Sequence, residues 1–341
     1  LITSDGTFNY QHDADGNTTV RTRISTNYAT DYQTTYTWDY RNRLTDVEYY
    51  DNNSVLTKDI HYVYDVFDHL LATEVDTTGS GTYNEIEHYV LDVSPEIPAA
   101  GVPGTALAQP GLVFDGNRSL IQRNLVALDP AGVDAVPVQG TVISLTQGDT
   151  DIFVAHDNLG TPRDDVDTTG TLVNHSVFSV FGQDVYDSNP SIVNWAGFAG
   201  GHADPNTGLV NDYHRWYDPA TGRWISEDPA GFSANDRNLN RYVRNGAANW
   251  LDHTGLTPEP TYTPQNVERL PPVTPPPSPA PFWRLRQWWQ SREAIRERRR
   301  ERIQRLMDIF EWEMELELEG GGIPVPMEIH GSGTIIGSYP F

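Results

Sequence analysis

An aromatic-x-x-Asp motif that recurs every 26 residues restricts the fold of this chain more than any other feature. It reads YQHD at residues 10–13, YTWD at 36–39 and YVYD at 62–65, and Leu44 and Leu70 keep the same spacing. The stretches between the motifs are rich in Tyr, Val, Thr and Ile and end in turns of Asp, Asn and Gly, which is typical of β-hairpins. One hairpin cannot bury its aromatic face alone, so the pattern predicts hairpins stacked side by side.

The repeated tyrosines and aspartates are interpreted as core aromatics and turn caps, not as catalysts. The repeat array extends over residues 1–91, and the pattern loosens over residues 92–150, where prolines interrupt it. We therefore predict an insertion with short strands at 92–150, followed by a second regular region at 151–256.

Charge is distributed unevenly along the chain. The net charge is −24, and residues 1–256 hold 13 of the 23 Lys and Arg but 35 of the 47 Asp and Glu, a net charge of −22. Phosphate contacts need Lys and Arg, so residues 1–256 are not expected to bind nucleic acid. There is no cysteine, hence no disulfide framework or thiolate metal site.

No motif predicts a cofactor, and no apolar run reaches the length of a transmembrane helix. The chain begins at Leu1 in mid-pattern, so we expect it to be the C-terminal piece of a longer protein.

Two short Asp-x-x-Gly-apolar units stand near the end of the regular part, DPAGF at residues 228–232 and DHTGL at 252–256. Asp at the first position and Gly at the fourth are preferences of type I turns, so both units can be simple turns. The alternative is a divided active site, in which Asp228 and Asp252 share one proton. The ionised carboxylate would then activate water and the neutral one would donate to a peptide carbonyl.

Several ordered motifs together resemble the RHS repeat-associated core of Rhs and YD-repeat proteins. They read HDNLGTPRDDVDTTG (156–170), FSVFG (178–182), TGLVNDYHRWYDPATGRWISEDPAGF (207–232) and NLNRYVRNGAANWLDHTGL (238–256). The early aromatic-x-x-Asp repeats look like the YD repeats of the same proteins, which are related to Tc-toxin C components and teneurins.

The resemblance implies an all-β fold, a spirally wound shell of YD-repeat hairpins that encloses a variable C-terminal segment as cargo. It implies autoproteolysis of an aspartic-protease type just after the second motif, between Leu256 and Thr257, with Asp228 and Asp252 as the functional pair. The released segment would be a toxin, with an immunity protein as a possible partner, and the protein would be secreted or displayed on a bacterial cell surface.

The chain departs from the family where His253 stands in place of the usual proline. Proline fixes φ and histidine does not, so we expect a looser turn and a group that titrates near neutrality. Arg223 is the arginine that we expect to keep one carboxylate ionised, with a paired surface arginine as the alternative, and Asp236 is a reserve carboxylate.

Isolated histidines and aspartates elsewhere give weaker signals. His156, His202 and His214 each stand beside turn residues without metal or triad spacing, so structural or surface roles are expected. The aspartates at 164, 165 and 167 lack the ligand order of a calcium loop and predict a solvated acidic face.

After Leu256 the composition changes. Residues 257–281 form a proline-rich linker, and residues 282–341 predict a small α+β tail, with an Arg-rich helix followed by a β-hairpin. The tail has no catalytic constellation. Its arginines either pair with neighbouring glutamates or contact nucleic acid or anionic lipid, as in a toxin that acts through this tail.

Two functions remain open. In the first, the shell cleaves itself after Leu256 and releases residues 257–341. In the second, a non-catalytic cell-surface scaffold binds glycans or a protein through its aromatic-rich repeats. The first predicts a clipped chain and the second predicts an intact one.

Overall fold

The computed structural model describes residues 1–26, 31–98, 106–127, 141–234, 236–256 and 258–260. The predicted tail at 282–341 and the linker beyond residue 260 lie outside these ranges. No helix in the described ranges is both long and apolar enough to cross a membrane.

One antiparallel sheet of 14 strands dominates the molecule, and its strands lie side by side in the order in which they occur along the chain. The all-β prediction is therefore confirmed. The strands are β1 (Phe8–His12), β2 (Thr18–Arg23), β3 (Gln33–Trp38), β4 (Leu44–Tyr50), β5 (Leu56–Tyr64), β6 (Leu70–Asp76), β7 (Glu85–Pro98), β8 (Ala106–Asp115), β9 (Leu120–Ala127), β10 (Thr141–Gln147), β11 (Thr150–His156), β12 (Pro162–Asp167), β13 (Leu172–Phe178) and β14 (Asp184–Asp187).

The 26-residue repeat corresponds to two strands and their turns. Tyr36 and Tyr62 are buried on β3 and β5, and Leu44 and Leu70 open the strands that follow and are buried beside them. Since side chains alternate between the two faces of a strand, a repeat with an even number of strands returns the same residue types to the same face. The repeat therefore produces one continuous apolar face.

The aspartate that ends each motif caps the next turn. Asp39 Oδ1 accepts the backbone N–H groups of Arg41 and Arg43, at 2.8 and 3.0 Å. Asp65 Oδ1 accepts the N–H groups of Phe67 and His69 in the same way, at 2.7 and 2.9 Å. Such Asx turns satisfy the backbone donors that a tight loop leaves unpaired, as the sequence predicted.

The described part of residues 92–150, which was predicted to contain short strands, contributes to the middle of the sheet from the end of β7 to the start of β11. Its prolines lie where strand pairing is already irregular. Pro110 pairs with Leu91 at a register shift, and Pro98 pairs with Ala106 after a second shift. Proline cannot donate to a β-ladder but is tolerated at bulges, so these residues bend the strands without ending the sheet.

Residues 195–256 form a compact block of short elements. Its strands are β15 (His202–Ala203), β16 (Val210–Asp212), β17 (Arg215–Asp218), β18 (Arg223–Trp224) and β19 (Trp250–Leu251), which pairs with β20 (Glu259–Pro260). Three 3₁₀ turns at Phe198–Gly200, Gly231–Ala234 and Tyr242–Asn245 complete it.

The block packs against the apolar face of the repeats. Trp216 stacks on Tyr62 with ring centroids 4.6 Å apart, and its indole N–H donates to the Tyr64 hydroxyl at 3.0 Å. Tyr62 in turn donates its hydroxyl hydrogen to Asp204 of the block. The regular spacing of the repeat tyrosines thus provides both the core and the anchoring groups for the C-terminal block.

Candidate functional site

A buried arginine joins the two Asp-x-x-Gly units. Arg215 Nη2 lies 3.2 Å from Asp228 Oδ2 and 3.2 Å from Asp252 Oδ2. The three side chains are only 3%, 8% and 1% exposed, respectively. The structure therefore brings together the two aspartates that the sequence singled out, around a single guanidinium group.

Asp228 is positioned by its own turn. Its Oδ1 accepts the Ala230 N–H at 2.8 Å, and its carbonyl accepts the Gly231 N–H at 2.8 Å. Gly231 has φ +56°, a conformation that glycine adopts without strain. The Asp228 N–H is anchored on the Leu239 carbonyl at 3.1 Å, so the turn is fixed at both ends.

Asp252 is positioned by a second turn of the same type. Its Oδ1 accepts the Leu256 N–H at 3.0 Å, which ties the carboxylate to the residue before the predicted cleavage point. Gly255 has φ +68°, and a Cβ there would lie 2.8 Å from the backbone oxygen of Asp212. Only glycine lets this loop approach the β16–β17 hairpin so closely. Thr257 lies outside the described residues.

Arg215 also holds the backbone of both turns. Its Nε donates to the Gly255 carbonyl, and its Nη1 donates to the Leu239 carbonyl at 3.2 Å. The guanidinium carbon lies 4.2 Å from the centre of the Trp224 ring, a cation–π contact. The donors and the face of the guanidinium group are thus used to fix the relative position of the two aspartate loops.

A third buried carboxyl lies in the same hairpin. Asp212 is 2% exposed and is the direct partner of Arg215 in the β16–β17 register. Burial raises its pKa well above the ordinary value, the charge of Asp252 raises it further, and Arg215 opposes both effects. One buried cation thus faces three carboxyl groups, so they cannot all be ionised at once.

The pKa of the Asp228 carboxyl is also raised above its ordinary value. Burial raises this pKa, and the charge of Arg215 offsets part of this effect. An ionised carboxylate beside a neutral carboxylic acid is the combination that lets one group take a proton from water while the other gives a proton to a carbonyl. The site therefore places two buried carboxyl groups, one of them with a raised pKa, beside one buried cation.

Arg215, and not Arg223, is the arginine that contacts the two aspartates. Arg223 lies on β18, where it pairs across the ladder with Asp218 and forms a backbone bridge with Arg241. Within the described ranges it makes no ion pair with Asp228 or Asp252. Asp218, the ladder partner of Arg223, is the last residue of β17, whereas Arg215 is the first. Arg223 therefore lies beside the end of β17 that is farthest from Arg215.

A sequence signal for Arg215 existed but was weak. All four residues of β17 are buried, although the strand begins with Arg and ends with Asp. A charged residue that is fully buried needs a partner. The sequence cannot name that partner, because Asp228 and Asp252 lie 13 and 37 residues further along the chain.

Asp236, the reserve carboxylate, lies outside this cluster. It pairs with the guanidinium group of Arg241 at 2.7 and 2.9 Å. Its local pairing resembles that of the repeat aspartates and not that of Asp252.

The expectation that His253 titrates near neutrality is wrong. His253 is 4% exposed, and burial lowers its pKa to about 4. The side chain is therefore neutral at physiological pH and cannot act there as a titrating base. The Asp252 turn forms with histidine in the place of proline, since Leu256 and Gly255 still donate to Asp252.

The remaining histidines have structural surroundings. His214 Nδ1 lies 2.9 Å from the Thr254 carbonyl and so contacts the loop that follows Asp252. His202 is buried against the Trp195 ring, with centroids 4.5 Å apart. His156 ends β11 and is partly buried.

The aspartates at 164, 165 and 167 do not converge on one point. Asp164 pairs with His175 at 2.7 Å, Asp165 accepts from two asparagines, and Asp167 caps a turn. No group of three metal-ligating side chains is found among the residues that the structure describes.

Comparison with known proteins finds relatives of part of this chain. The Teneurin YD-shell family model matches residues 138–246. Teneurin-4 from Homo sapiens is 36% identical over 86 residues, which cover 25% of this chain and 3% of Teneurin-4. Double-stranded DNA deaminase toxin A from Burkholderia cenocepacia (strain H111) is 32% identical over 130 residues, which cover 36% of this chain and 9% of the toxin.

Among solved structures, the TcdB2-TccC3 crystal structure aligns with 73% of this chain and 17% of its own chain, at 16% identity and a TM-score of 0.31. The present chain spans less than a tenth of the length of the two curated relatives. The family-model match and the two sequence relatives support the resemblance of this chain to RHS/YD-repeat shell proteins.

Proposed function

We propose that this shell protein cleaves its own backbone once, between Leu256 and Thr257, and so releases residues 257–341. Asp228 and Asp252 are the catalytic pair, and Arg215 is the residue that holds them. The observation that carries the proposal is the convergence of two turns on one buried guanidinium group, with both carboxylates 3.2 Å from Nη2. Two turns with only a capping role would have no need of a shared buried cation.

The proton balance follows from the surroundings of each carboxyl. Asp228, whose pKa burial raises, is the group that holds the proton. Asp252 takes a proton from a water molecule, and the resulting hydroxide attacks the Leu256 carbonyl carbon. Asp228 gives its proton to the carbonyl oxygen. The tetrahedral intermediate then breaks its C–N bond as the proton taken up by Asp252 passes to the Thr257 nitrogen, and one of its two hydroxyl groups returns a proton to Asp228 as the new carboxylic acid forms.

The position of Leu256 supports cleavage at this point of the chain. Its N–H donates to Asp252 Oδ1, and the Gly255 carbonyl accepts from Arg215. The two residues before the scissile bond are thus held by one member of the catalytic pair and by the arginine that joins the pair, and holding a reactant in place lowers the entropic part of the barrier. The new chain end stays bound beside Asp252, which explains a single turnover.

The released segment is proposed to be cargo. Its composition differs sharply from that of the acidic shell, because residues 257–341 hold 10 arginines and 12 acids and are nearly neutral. One sequence relative is named as a deaminase toxin. We therefore propose a toxin role for the segment, an immunity protein as its partner in the producing cell, and a secreted or cell-surface location for the shell.

The intact mass of the purified full chain tests the cleavage. We expect two fragments that meet at Leu256/Thr257 in the parent, and a single uncut chain in Asp228→Asn and in Asp252→Asn. Asp39→Asn is the matched control, since Asp39 caps a turn of the same kind without an arginine shared between loops, and it should be cut like the parent.

An uncut parent with a folded spectrum would overturn the proposal. The aspartates would then be turn caps joined by a structural ion pair. The non-catalytic scaffold, binding a glycan or protein at the cell surface, would be the better interpretation, and binding of the intact chain to cells or glycan arrays would be the next measurement.

A further inference from the structure

The third carboxyl of the site, Asp212, takes no part in the cleavage steps above, yet the hairpin fixes its place within the site. It ends β16 directly opposite Arg215, which opens β17. Side chains that face each other in an antiparallel pair have Cβ atoms about 5 Å apart. The hairpin therefore places the Asp212 carboxyl group near the Arg215 guanidinium group.

The space around Asp212 is shaped for a carboxyl group. A Cβ added to Gly201 would lie 2.2 Å from Asp212 Oδ1 and 2.5 Å from a Val210 methyl group. Glycine is therefore required at position 201 for this side chain to fit. The Asp212 backbone oxygen also lies close to Gly255 of the cleavage loop. Asp212 therefore lies next to both β17, which carries Arg215, and that loop.

Only one distribution of charge among the three carboxyl groups has a low free energy. Arg215 pairs with Asp228 and Asp252, and no salt bridge links it to Asp212 in the described structure. A third negative charge in this buried cluster would have no cation of its own, and burying an unpaired charge is costly. Neutral Asp212 avoids that cost and leaves the guanidinium group to the other two carboxyls.

We propose that Asp212 is a positioning residue of the cleavage site: in its neutral form it leaves the Arg215 charge to Asp228 and Asp252, and its ionisation at alkaline pH draws Arg215 away and stops cleavage. The inference rests on the proposed self-cleavage. It is specific to position 212 and does not depend on which of the other two aspartates carries the catalytic proton.

Other titratable groups surround Asp212. Tyr217 of β17 and Tyr242 of the nearby 3₁₀ turn both have their pKa raised, chiefly by burial, so both stay neutral. His202, on the neighbouring strand, has its pKa lowered to about 4 by burial, and so does His253 in the cleavage loop. His214, whose ring contacts the Thr254 carbonyl, is present in parent and variant alike, so its effect cancels when their rates are compared.

The rate of self-cleavage in Asp212→Asn tests the role. Full chain is recovered unfolded and uncut in urea, diluted into buffers from pH 5 to 9, quenched at intervals and weighed intact. Asparagine has nearly the same shape and is always neutral, so the variant should cleave within threefold of the parent at pH 6. At pH 9 it should be at least tenfold faster than the parent.

The ratio of the two rates is the informative quantity, because pH effects that are common to parent and variant cancel from it. Asp218→Asn is the matched control. Asp218 is also a buried aspartate of the same hairpin, but it caps the turn that follows β17 through Ala220 and Thr221. Its ratio to the parent should stay constant across the range.

The failures are distinguishable. A cleaving parent with a constant Asp212→Asn ratio from pH 6 to 9 overturns the role of Asp212 and leaves the proposed function intact. A parent that folds but stays uncut at every pH overturns the proposed function and the role of Asp212 together.

A second measurement examines Asp212 without cleavage. The Asp228→Asn variant, which keeps the chain uncut and retains Asp252, is compared with the double variant that also carries Asp212→Asn, and the melting temperatures of both are measured between pH 5 and 8. A carboxyl that the fold keeps neutral destabilises the protein increasingly as pH rises above the unfolded value, so the advantage of the double variant should grow by several degrees. An advantage that does not change with pH would contradict a neutral Asp212.

Discussion

The repeat sheet and the C-terminal block use the same aspartate turn in different ways. In the repeats, one oxygen of Asp39 caps its own turn and the other binds Arg43, four residues away. In the block, one oxygen of Asp252 caps its turn in the same manner, but the other binds Arg215, which lies 37 residues earlier. The turn is the same element, and the partner of its second oxygen differs.

This difference separates a scaffold from a candidate reaction centre. A turn that is closed by its own neighbours is independent of the rest of the molecule, so it can be repeated many times. A turn whose carboxylate depends on a distant arginine is correct only when the whole block has folded. Self-cleavage that requires the folded block would therefore occur after the shell segment has formed and not during synthesis of the unfolded chain.

The largest expected effect is the loss of Arg215. In an uncut Asp228→Asn background, Arg215→Ala leaves Asp252 buried without its cation, and we expect a decrease of about 3 kcal/mol in the free energy of unfolding. Urea denaturation followed by tryptophan fluorescence measures it. Arg41→Ala, which breaks the exposed pair with Asp68 in the repeats, should cost about 1 kcal/mol or less. Equal losses would show that the two regions do not differ in this respect.

The glycines of the two regions provide the next comparison. Gly170 closes a hairpin turn at φ +83°, and a Cβ added there would meet no atom within 4 Å, so Gly170→Ala should cost only the backbone strain of about 1–2 kcal/mol. Gly255→Ala adds a contact of 2.8 Å with the Asp212 backbone oxygen. We expect it to cost about 1 kcal/mol more and to slow self-cleavage, as read by urea denaturation and by intact mass.

If Gly255→Ala lowers the free energy of unfolding no more than Gly170→Ala does, the loop at residues 252–256 does not lie as close to the β16–β17 hairpin as the structure has it. A variant that is stable and still cleaves at the parent rate would have the same meaning.

Histidines of the two regions should respond to acid with opposite signs. Burial lowers the pKa of His202 to about 4, below the unfolded value, so its contribution to stability is present above about pH 6.5 and is lost as pH falls toward 4. At pH 5 this amounts to about 2 kcal/mol. His202→Phe should therefore reduce the fall in melting temperature between pH 7.5 and pH 5.

His61 of the repeats is the contrasting case. Its hydrogen bond to Asp46 raises its pKa, so its contribution is present below the unfolded value and is lost as pH rises through the folded one. His61→Phe should make the protein less stable at pH 5 relative to pH 7.5. The same sign of change in both variants would contradict the opposite environments.

The smallest effect is expected for Asp39→Asn. Burial raises the pKa of Asp39, but hydrogen bonds from Arg43 and Arg41 outweigh it and hold the pKa below its ordinary value. Its contribution is thus present at neutral pH and lost as pH falls. Since asparagine keeps the capping oxygen, we expect a loss of less than about 1 kcal/mol at pH 7, and none at pH 2, by urea denaturation.

Particular residues show how far the sequence reaches. Residues 10–13, 36–39 and 62–65 predicted stacked hairpins with core aromatics and turn-capping aspartates, because turn chemistry and side-chain alternation are local properties of the chain. Residues 92–150 were predicted as an insertion with short strands, because prolines interrupt the repeat there. The sheet tolerates Pro98 and Pro110 because they lie at shifts in register, and such shifts depend on the partner strand.

The candidate site divides in the same way. Asp228 and Asp252 were found from their turn motif together with a family resemblance, whereas Arg223 was named as the arginine that holds a carboxylate and Arg215 was not singled out. His253 was expected to titrate near neutrality, and its burial lowers the pKa to about 4. In each case the missing information was which side chains the fold buries next to one another.

By itself, the sequence determined the all-β class, the two-strand repeat and the identity of the paired turns, because periodicity and turn chemistry are properties of short segments. The tertiary structure alone decided that Arg215 joins Asp228 to Asp252, that Asp212 is the third carboxyl of the cluster and that His253 is neutral. These depend on burial and on contacts between segments far apart in the chain, and the strength of a charge interaction is set by how much water the completed fold excludes.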